Sequence, residues 1–439
     1  MLLIGNGYLV SRDEKQPFLQ DGCVAIEKDT IMAVGPTDQL KTQYPSATFI
    51  DAKKGLIMPG LINTHNHIYS AFARGASLGG PPPRNFLDIL EHTWWKLDRH
   101  LTLEDTRYSA YWTYLDCIKN GVTTIFDHHA SYGEITDSLF AISDVANELG
   151  LRTCLCYEVS DRDGQDKMKR AVKENEAFIK ASQNHPMQKG LMGLHASFTL
   201  SDATLDYCRS HLPKGSGYHI HVAEGIDDVY DSLKKYSKRV LHRLFDQDIL
   251  GPHTIAGHCI HITPDEMDLL KETDTAVVHN PESNMGNAVG APPVLELFKR
   301  GILIGLGTDG YTNDLFESLK VANILQKHHT CNPAVAWEEI PTMLFEYNPK
   351  IVSRFFTKSV GVLKPGYAAD VIVADYIPQT PLNTHTLNGH LLFGLNGRCV
   401  TTTIANGKVL MKDRQILIAD EERLMAKSRQ LAQALWNRV

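Results

Sequence analysis

The sequence predicts an α/β chain: a (β/α)8 barrel of the TIM class, with a discontinuous β-sandwich domain formed by both chain ends. Three features carry that prediction. Through the middle of the chain, short apolar runs alternate with longer helical stretches, the pattern of βα units around a parallel sheet. Nearly every apolar run ends in His, Asp, Glu or Asn, and barrels carry their chemistry at the C-terminal ends of strands. Segments rich in β-branched residues and punctuated by Gly occupy both termini.

Taken in order, LLIGNGYLV, GCVAIEKDTIMAVG and TFIDAKKGLIMPG read as strands separated by turns. Eight barrel strands are then expected in GLINTHNH, VTTIFDHH, RTCLCYEV, GLMGLHAS, GYHIHVAE, HTIAGHCIH, TAVVHNPES and ILIGLGTDG. Eight is the number that closes a barrel. Strand character returns in AADVIVADY and CVTTTIANGKVLMKDRQI, where Asn406-Gly407 between two apolar runs signals a hairpin. The division expected is 1–58 for the first part of the β-sandwich and 59–360 for the barrel. Residues 361–439 would supply the second part of the sandwich and a C-terminal helix.

At 439 residues the chain exceeds the roughly 250 of a plain barrel, which leaves room for that second domain. Hydrophobic residues at 43% and charged residues at 22% describe a globular protein, and a formal charge of −7 gives nucleic acid or an anionic membrane no purchase. The N-terminal MLLIGNGYLV lacks the basic flank and apolar core of a signal peptide, and no apolar run approaches a membrane span. The eight cysteines form no CxxC pair, and Cys154 and Cys156 lie two apart on one expected strand, poorly placed for a disulfide. Reduced thiols and a cytoplasmic location are the expectation.

The histidines carry the chemistry. In Thr64-His65-Asn66-His67, strand alternation points His65 and His67 to one face, and two imidazoles on one face can chelate one ion. Among 20 histidines a chance His-x-His is expected, so spacing alone is weak; position at the end of an apolar run strengthens it. In His219-Ile220-His221, His221 is nearer the strand end and is the expected ligand, with His219 a layer deeper. Glu224 lies just beyond and could reach a substrate, or be a loop carboxylate. Asp309, in Gly307-Thr308-Asp309-Gly310, could serve a turn, or complete a set of three imidazoles and one carboxylate. Such a set suits zinc or ferrous iron better than magnesium or calcium.

The ordered motifs PGLINTHNH, HVAE, GHCIH, HNPESN and GTDG resemble the amidohydrolase superfamily across nearly the whole chain. More narrowly they resemble the branch of cytosine, guanine and S-adenosylhomocysteine deaminases and triazine chlorohydrolases. Narrowest of all is a likeness to SsnA-like aminohydrolases, associated with selenium-dependent molybdenum hydroxylase systems. The resemblance implies one divalent metal ion, zinc or ferrous iron, held by His65, His67, His221 and Asp309. It implies Glu224 as proton shuttle, His258 as the residue that polarises the attacking water, Asp309 as base, and His279 as a residue lining the substrate pocket. Two-metal relatives carry a carboxylated lysine at the end of the fourth strand. GLMGLHAS offers His195 there instead, which argues for a single ion.

The expected reaction is hydrolysis of a carbon–nitrogen bond other than a peptide, deaminating a purine- or pyrimidine-like heterocycle. Dechlorination or cyclic-amide opening on the same scaffold is an alternative, as is a catalytically silent accessory role in selenium-linked metabolism. Glu224 favours deamination over dechlorination, because an amine leaving group needs a proton and chloride does not. The long segment from Ser70 to Leu101 is expected to cover the site, with Arg74 and Trp94 as candidate substrate contacts beside His195. Trp94 and Trp95 could equally pack a helix onto the barrel. His128 and His129 end the second strand beside the pocket. The partner expected is a small heterocyclic substrate, with homodimerisation in keeping with the resemblance.

Overall fold

The computed structural model describes residues 1–76, 78–79 and 81–439. Each of the eight expected runs forms a strand: β1 (Leu61–Asn66), β2 (Val122–His129), β3 (Arg152–Tyr157), β4 (Met192–Ala196), β5 (Tyr218–Val222), β6 (Ile255–His258), β7 (Ala276–His279) and β8 (Ile304–Leu306). Every residue of these strands is buried, as parallel strands covered on both faces must be.

The eight strands form two parallel arcs. β1 to β3 pair in sequence, with Gln188–Gly190 added beyond β3, and β4 to β8 pair in sequence. Single bridges stitch the arcs together at both seams, Val159 with Leu194 between the ends of β3 and β4, and Asn66 with Asp309 between β1 and β8. At the second seam, the backbone N–H groups of Thr308 and Asp309 both donate to the His65 carbonyl at 3.0 Å. That seam sets Asp309 beside the first-strand histidines. Helices such as Leu103–Lys119, Ser138–Leu149 and Gln165–Ser182 follow the strands. The first is fixed at its start by a Thr102–Asp105 capping box, the second ended by Gly150 in the left-handed conformation.

Both chain ends build one β domain. Leu2–Val10 pairs antiparallel with Phe18–Glu27 and parallel with Thr48–Asp51 and Leu56–Pro59. Leu56–Pro59 pairs in turn with Val371–Ala374, so the two termini meet in a single nine-stranded hydrogen-bonded sheet. Ile4, Leu9, Val24 and Ile26 share a core with Val371, Val373 and Ile404. The hairpin signal is realised: Asn406 and Gly407 both take positive φ, 49° and 77°, as a two-residue primed turn requires. A side chain at position 407 would also collide with the Lys28 carbonyl.

Buried Arg152 on β3 forms an ion pair with Asp370, which joins barrel to β domain. The C-terminal helix, Glu421–Arg438, packs on the barrel. It lies against Leu103–Lys119, and its Leu431 and Leu435 cluster with Tyr69, Phe72, Leu97 and Leu101. Among the described residues, no helix is long and apolar enough to cross a membrane.

Candidate metal centre and active site

The carboxyl ends of β1, β5, β6 and β8 converge on one point. His65 is the last residue but one of β1 and His67 follows the strand, with ring centroids 4.9 Å apart. His221 is on β5, and Asp309 leaves β8 in the left-handed conformation, φ 54°. The small residues of GLGTDG permit this close approach: a Cβ on Gly307 would stand 2.8 Å from that of His65. His67 Nε2 is 3.2 Å from His221 Nε2 and 3.2 Å from Asp309 Oδ1. Donor atoms of His65, His67 and Asp309 lie within 4.8 Å of one another, as do those of His65, His221 and His258. Two ligands of one ion at about 2.1 Å, in tetrahedral arrangement, stand roughly 3.4 Å apart. The spacing fits an ion-sized gap.

Hydrogen bonding sets the tautomers. His67 Nδ1 bonds the His128 carbonyl at 2.6 Å, and His221 Nδ1 the His195 carbonyl at 2.8 Å. Since a carbonyl only accepts, both imidazoles carry their proton on Nδ1 and turn a bare Nε2 inward. His65 Nδ1 lies 2.8 Å from His219 Nε2, while its own Nε2 is buried without a partner among the described residues. Burial lowers the pKa of all three below the ordinary imidazole value, far below for His65 and His221, while Asp309 pulls that of His67 the other way. Burial opposes the charge of Asp309, yet His67 and His258 beside it hold its carboxyl below the usual range. Three neutral imidazole nitrogens and one carboxylate are a donor set for zinc or ferrous iron.

His258 and Glu224 face this cluster. His258 Nε2 is 3.4 Å from Asp309 Oδ2 and 3.5 Å from Glu224 Oε2. Its Nδ1 bonds Asn284 Oδ1 at 2.8 Å, and Asn284 Nδ2 reaches His279 Nδ1 at 3.3 Å. The second contact turns the amide so that its oxygen meets His258, and His258 Nδ1 therefore donates. Glu224 leaves β5 after Ala223, another left-handed residue at φ 46°, and Asn287 Nδ2 reaches its Oε1 at 3.4 Å. Asp228 accepts from the Ala223 N–H at 2.9 Å and pins that turn. Burial, then the charge of Asp309, raises the Glu224 carboxyl well above the ordinary range.

A cavity of about 420 Å³ opens on the cluster. His67, His221, Glu224 and Asp309 line it together with His195, Trp94, Phe86, Leu90 and Tyr69. A second cavity, of about 630 Å³, shares His67, Ser70, Trp94, Asp309 and Gly310 with the first and adds Arg74, which lies over the Trp112 ring at 4.6 Å. His195 and Trp94 thus stand at the inner cavity and Arg74 at the outer one. His279 departs from expectation. It is fully buried against Asn284 and is not among the residues lining the inner cavity. His128 and His129 are likewise buried; the His128 ring reaches the carbonyls of Leu194 and His219. Trp95 packs beneath His195, at 5.9 Å between centroids.

Sequence reasoning passed over Glu158, Asn284, Asn287 and Tyr69. Glu158 had a signal, since it is the carboxylate near the end of the run RTCLCYEV, directly after β3, as the other site residues stand near the ends of theirs. The two asparagines sit in the segment after β7, where nothing local marks which amide faces inward.

A profile described as the Amidohydrolase family matches residues 56–410, and one described as an imidazolonepropionase-like composite domain of bacteria matches residues 22–47. The chain is 31% identical over 446 residues to a 5'-deoxyadenosine deaminase of Methanosarcina mazei, covering 100% of this chain and 99% of that one. It is 28% identical to a 5-methylthioadenosine/S-adenosylhomocysteine deaminase of Pelotomaculum thermopropionicum, covering 100% and 99%. Among solved structures, an adenosine deaminase from Xanthomonas campestris with bound zinc superposes with a TM-score of 0.87 at 22% identity, covering 100% and 99%. An atrazine chlorohydrolase from Arthrobacter aurescens, complexed with zinc, gives 0.81 at 20%, covering 98% and 100%. The profile match spans most of the chain, and the relatives align from end to end. The chain belongs to the amidohydrolase family.

Proposed function

We propose that this chain is a metal-dependent aminohydrolase that deaminates an adenine-like heterocycle in the cytoplasm. One observation carries the reading: His67 and His221 turn bare Nε2 atoms, with Asp309, on a single point that Glu224 and His258 also face. Relatives named as deaminases of adenine nucleosides support the substrate class, and eight cysteines outside any disulfide support the compartment. In this reading His65, His67, His221 and Asp309 hold one divalent ion, zinc by the fit of the donor set. The ion supplies Lewis acidity that brings the ionisation of water towards neutral pH.

The remaining steps belong to the side chains. Asp309 takes one proton from the attacking water. Neutral His258, with Nδ1 spent on Asn284, accepts the second O–H at Nε2 and so aims the oxygen at the ring carbon. Glu224, held protonated by burial, gives its proton to the adjoining ring nitrogen, so that negative charge does not build up on the ring. As the tetrahedral carbon collapses, the carbon–nitrogen bond breaks. The amine leaves as ammonia with the proton held by Asp309, and the hydroxyl proton returns to Glu224. The products are a carbonyl on the ring and ammonia. Because Glu224 is placed to protonate, the geometry favours an amine over chloride as leaving group. A complete donor set favours an enzyme over a silent accessory protein.

The test is metal content of the purified protein, with ammonia release from 5'-deoxyadenosine, 5-methylthioadenosine, S-adenosylhomocysteine and guanine. About one ion per chain is expected, with turnover falling about 10²- to 10⁴-fold in Glu224→Gln. Ammonia release unchanged by that substitution removes Glu224 from the mechanism; protein that folds without metal and releases none from any substrate overturns the reading.

A further inference from the structure

The inner cavity has a second acidic wall that the reaction does not use. Glu158 follows β3 and is 3% exposed, yet its side chain lines the same cavity as Glu224 and Asp309. Its main chain is locked: its N–H donates to the His129 carbonyl at 2.7 Å and its carbonyl accepts from Tyr132 OH at 2.8 Å. The carboxylate itself is poorly served. The nearest donors are Arg162 Nη2 at 3.5 Å and His128 Nδ1 at 3.9 Å.

Arg162 is committed elsewhere. Both of its terminal nitrogens bond buried Asp98, Nη1 also lies 3.4 Å from Asp163, and the guanidinium sits over the rings of Tyr132 and Trp95 at 4.1 and 5.3 Å. Asp163 is shared with Arg99 at 2.8 Å. Two guanidiniums, Arg162 and Arg99, thus face three carboxylates, Asp98, Asp163 and Glu158. One acid is in surplus, and Glu158 is the member of the cluster that reaches the cavity. Glu158 extends from the arc of β1 to β3, whereas Glu224 and Asp309 extend from the arc of β4 to β8. A buried carboxyl short of donors either keeps a proton or is completed by a donor on the ligand.

We propose that Glu158 is a specificity-determining residue that receives a cationic or hydrogen-bond-donating group of the substrate while the reacting carbon sits at the opposite arc. The class selected is a planar ring carrying an amino, N–H, hydroxyl or amidinium donor, held between Phe86, Leu90 and Trp94. Rings bearing carboxylate or phosphate at that end are disfavoured. The inference rests on the reading of this cavity as the substrate site, and its test reads binding without turnover.

The probes are benzamidine, a planar ring with a cationic donor, and acetophenone, an analogue of similar shape with no hydrogen-bond donor, titrated calorimetrically into the metal-loaded protein, into Glu158→Gln and into Glu224→Gln. Benzamidine is expected to bind wild type about 10- to 100-fold more tightly than acetophenone, and Glu158→Gln to abolish that preference. Preference lost in Glu224→Gln and kept in Glu158→Gln would assign the cation to the catalytic acid and overturn the proposal. Equal affinity of the two probes for wild type overturns it as well, and needs no variant to fold. Because neither outcome depends on ammonia release, failure here and failure of the deaminase reading are separate results.

Discussion

His65 and His219 share a single proton across 2.8 Å, buried between the first and fifth strands. For His65 to keep a lone pair at Nε2, that proton must sit on its Nδ1 and His219 Nε2 must accept it. His219 therefore acts on metal affinity without touching the ion, as outer partners of ligating histidines do. His219→Phe fills similar space and accepts nothing. It is expected to weaken metal retention about 10- to 100-fold, read by competition with a chromogenic chelator. Unaltered retention would leave His219 as packing alone.

Asp370 carries the joint between the two domains. It is buried, pairs with Arg152 Nη1, and accepts the N–H of Asn406, the first residue of the hairpin turn, at 2.7 Å. Arg152 also donates to Thr124 Oγ1 at 3.0 Å. Asp370→Ala leaves a buried guanidinium uncompensated, a loss of about 3–5 kcal/mol. Urea unfolding is expected to show that loss, and the double replacement Arg152→Met with Asp370→Leu to recover most of it. A double variant no better than the single one would mean that the ion pair is net stabilising.

How much of this could be read from sequence follows from what is local. His65, His67, His221 and Asp309 were legible because strand alternation and a terminal position in an apolar run are properties of a few adjacent residues. The ends of the chain were legible as β for the same reason, and Asn406-Gly407 gave the hairpin. What was not legible depends on distant contacts. His279 stands at the end of β7 as the ligands stand at the ends of their strands, but Asn284, from the segment that follows, packs against it. The positive φ at Ala223 and at His258 falls on residues that are not glycine, so nothing in their own identity marks those turns. Glu158 needed the knowledge that Arg162 is already taken by Asp98, a residue 64 positions earlier that only the fold brings near.

Asp127 gives the fold a pH-dependent stability. It is fully buried on β2, one oxygen accepts the Ile68 N–H at 2.6 Å, and the other has no partner among the described residues. Burial raises its pKa to about 8, the Ile68 bond pulling the other way. In the unfolded chain an aspartate ionises near about 3.9. Between about pH 4 and about pH 8 the folded state therefore binds more protons, and stability falls as pH rises across that window, by at most about 1.4 kcal/mol per unit. The contribution is complete below that window and exhausted above it. Asp127→Asn removes this slope. In chelator-treated protein, where no nearby cation favours the carboxylate, the variant should gain on wild type as pH is raised in urea-midpoint measurements. A constant difference would mean that Asp127 is already ionised in the native state.

The C-terminal helix bears on the site through Trp436. Its Nε1–H donates to the Phe72 carbonyl at 2.7 Å, and Leu431 and Leu435 on the same face pack with Tyr69 and Phe72. Tyr69 lines the inner cavity, and Phe72 lies in the same helical turn, Ile68–Ala73, directly after His67. The helix is tied down elsewhere by Lys427 to Glu104 at 2.9 Å and by Arg438 to Asp105. Losing the Trp436 contact should therefore loosen the turn and leave the helix in place. Trp436→Phe keeps an aromatic ring and removes one buried donor, a change of about 1 kcal/mol. Local opening free energy falls by that amount where the bond is made, so amide exchange over residues 68–73 should quicken about fivefold by mass spectrometry, while exchange in β2 and β5 stays unchanged. Acceleration spread evenly over the barrel would show instead that the helix stabilises the whole domain and has no particular hold on the wall of the cavity.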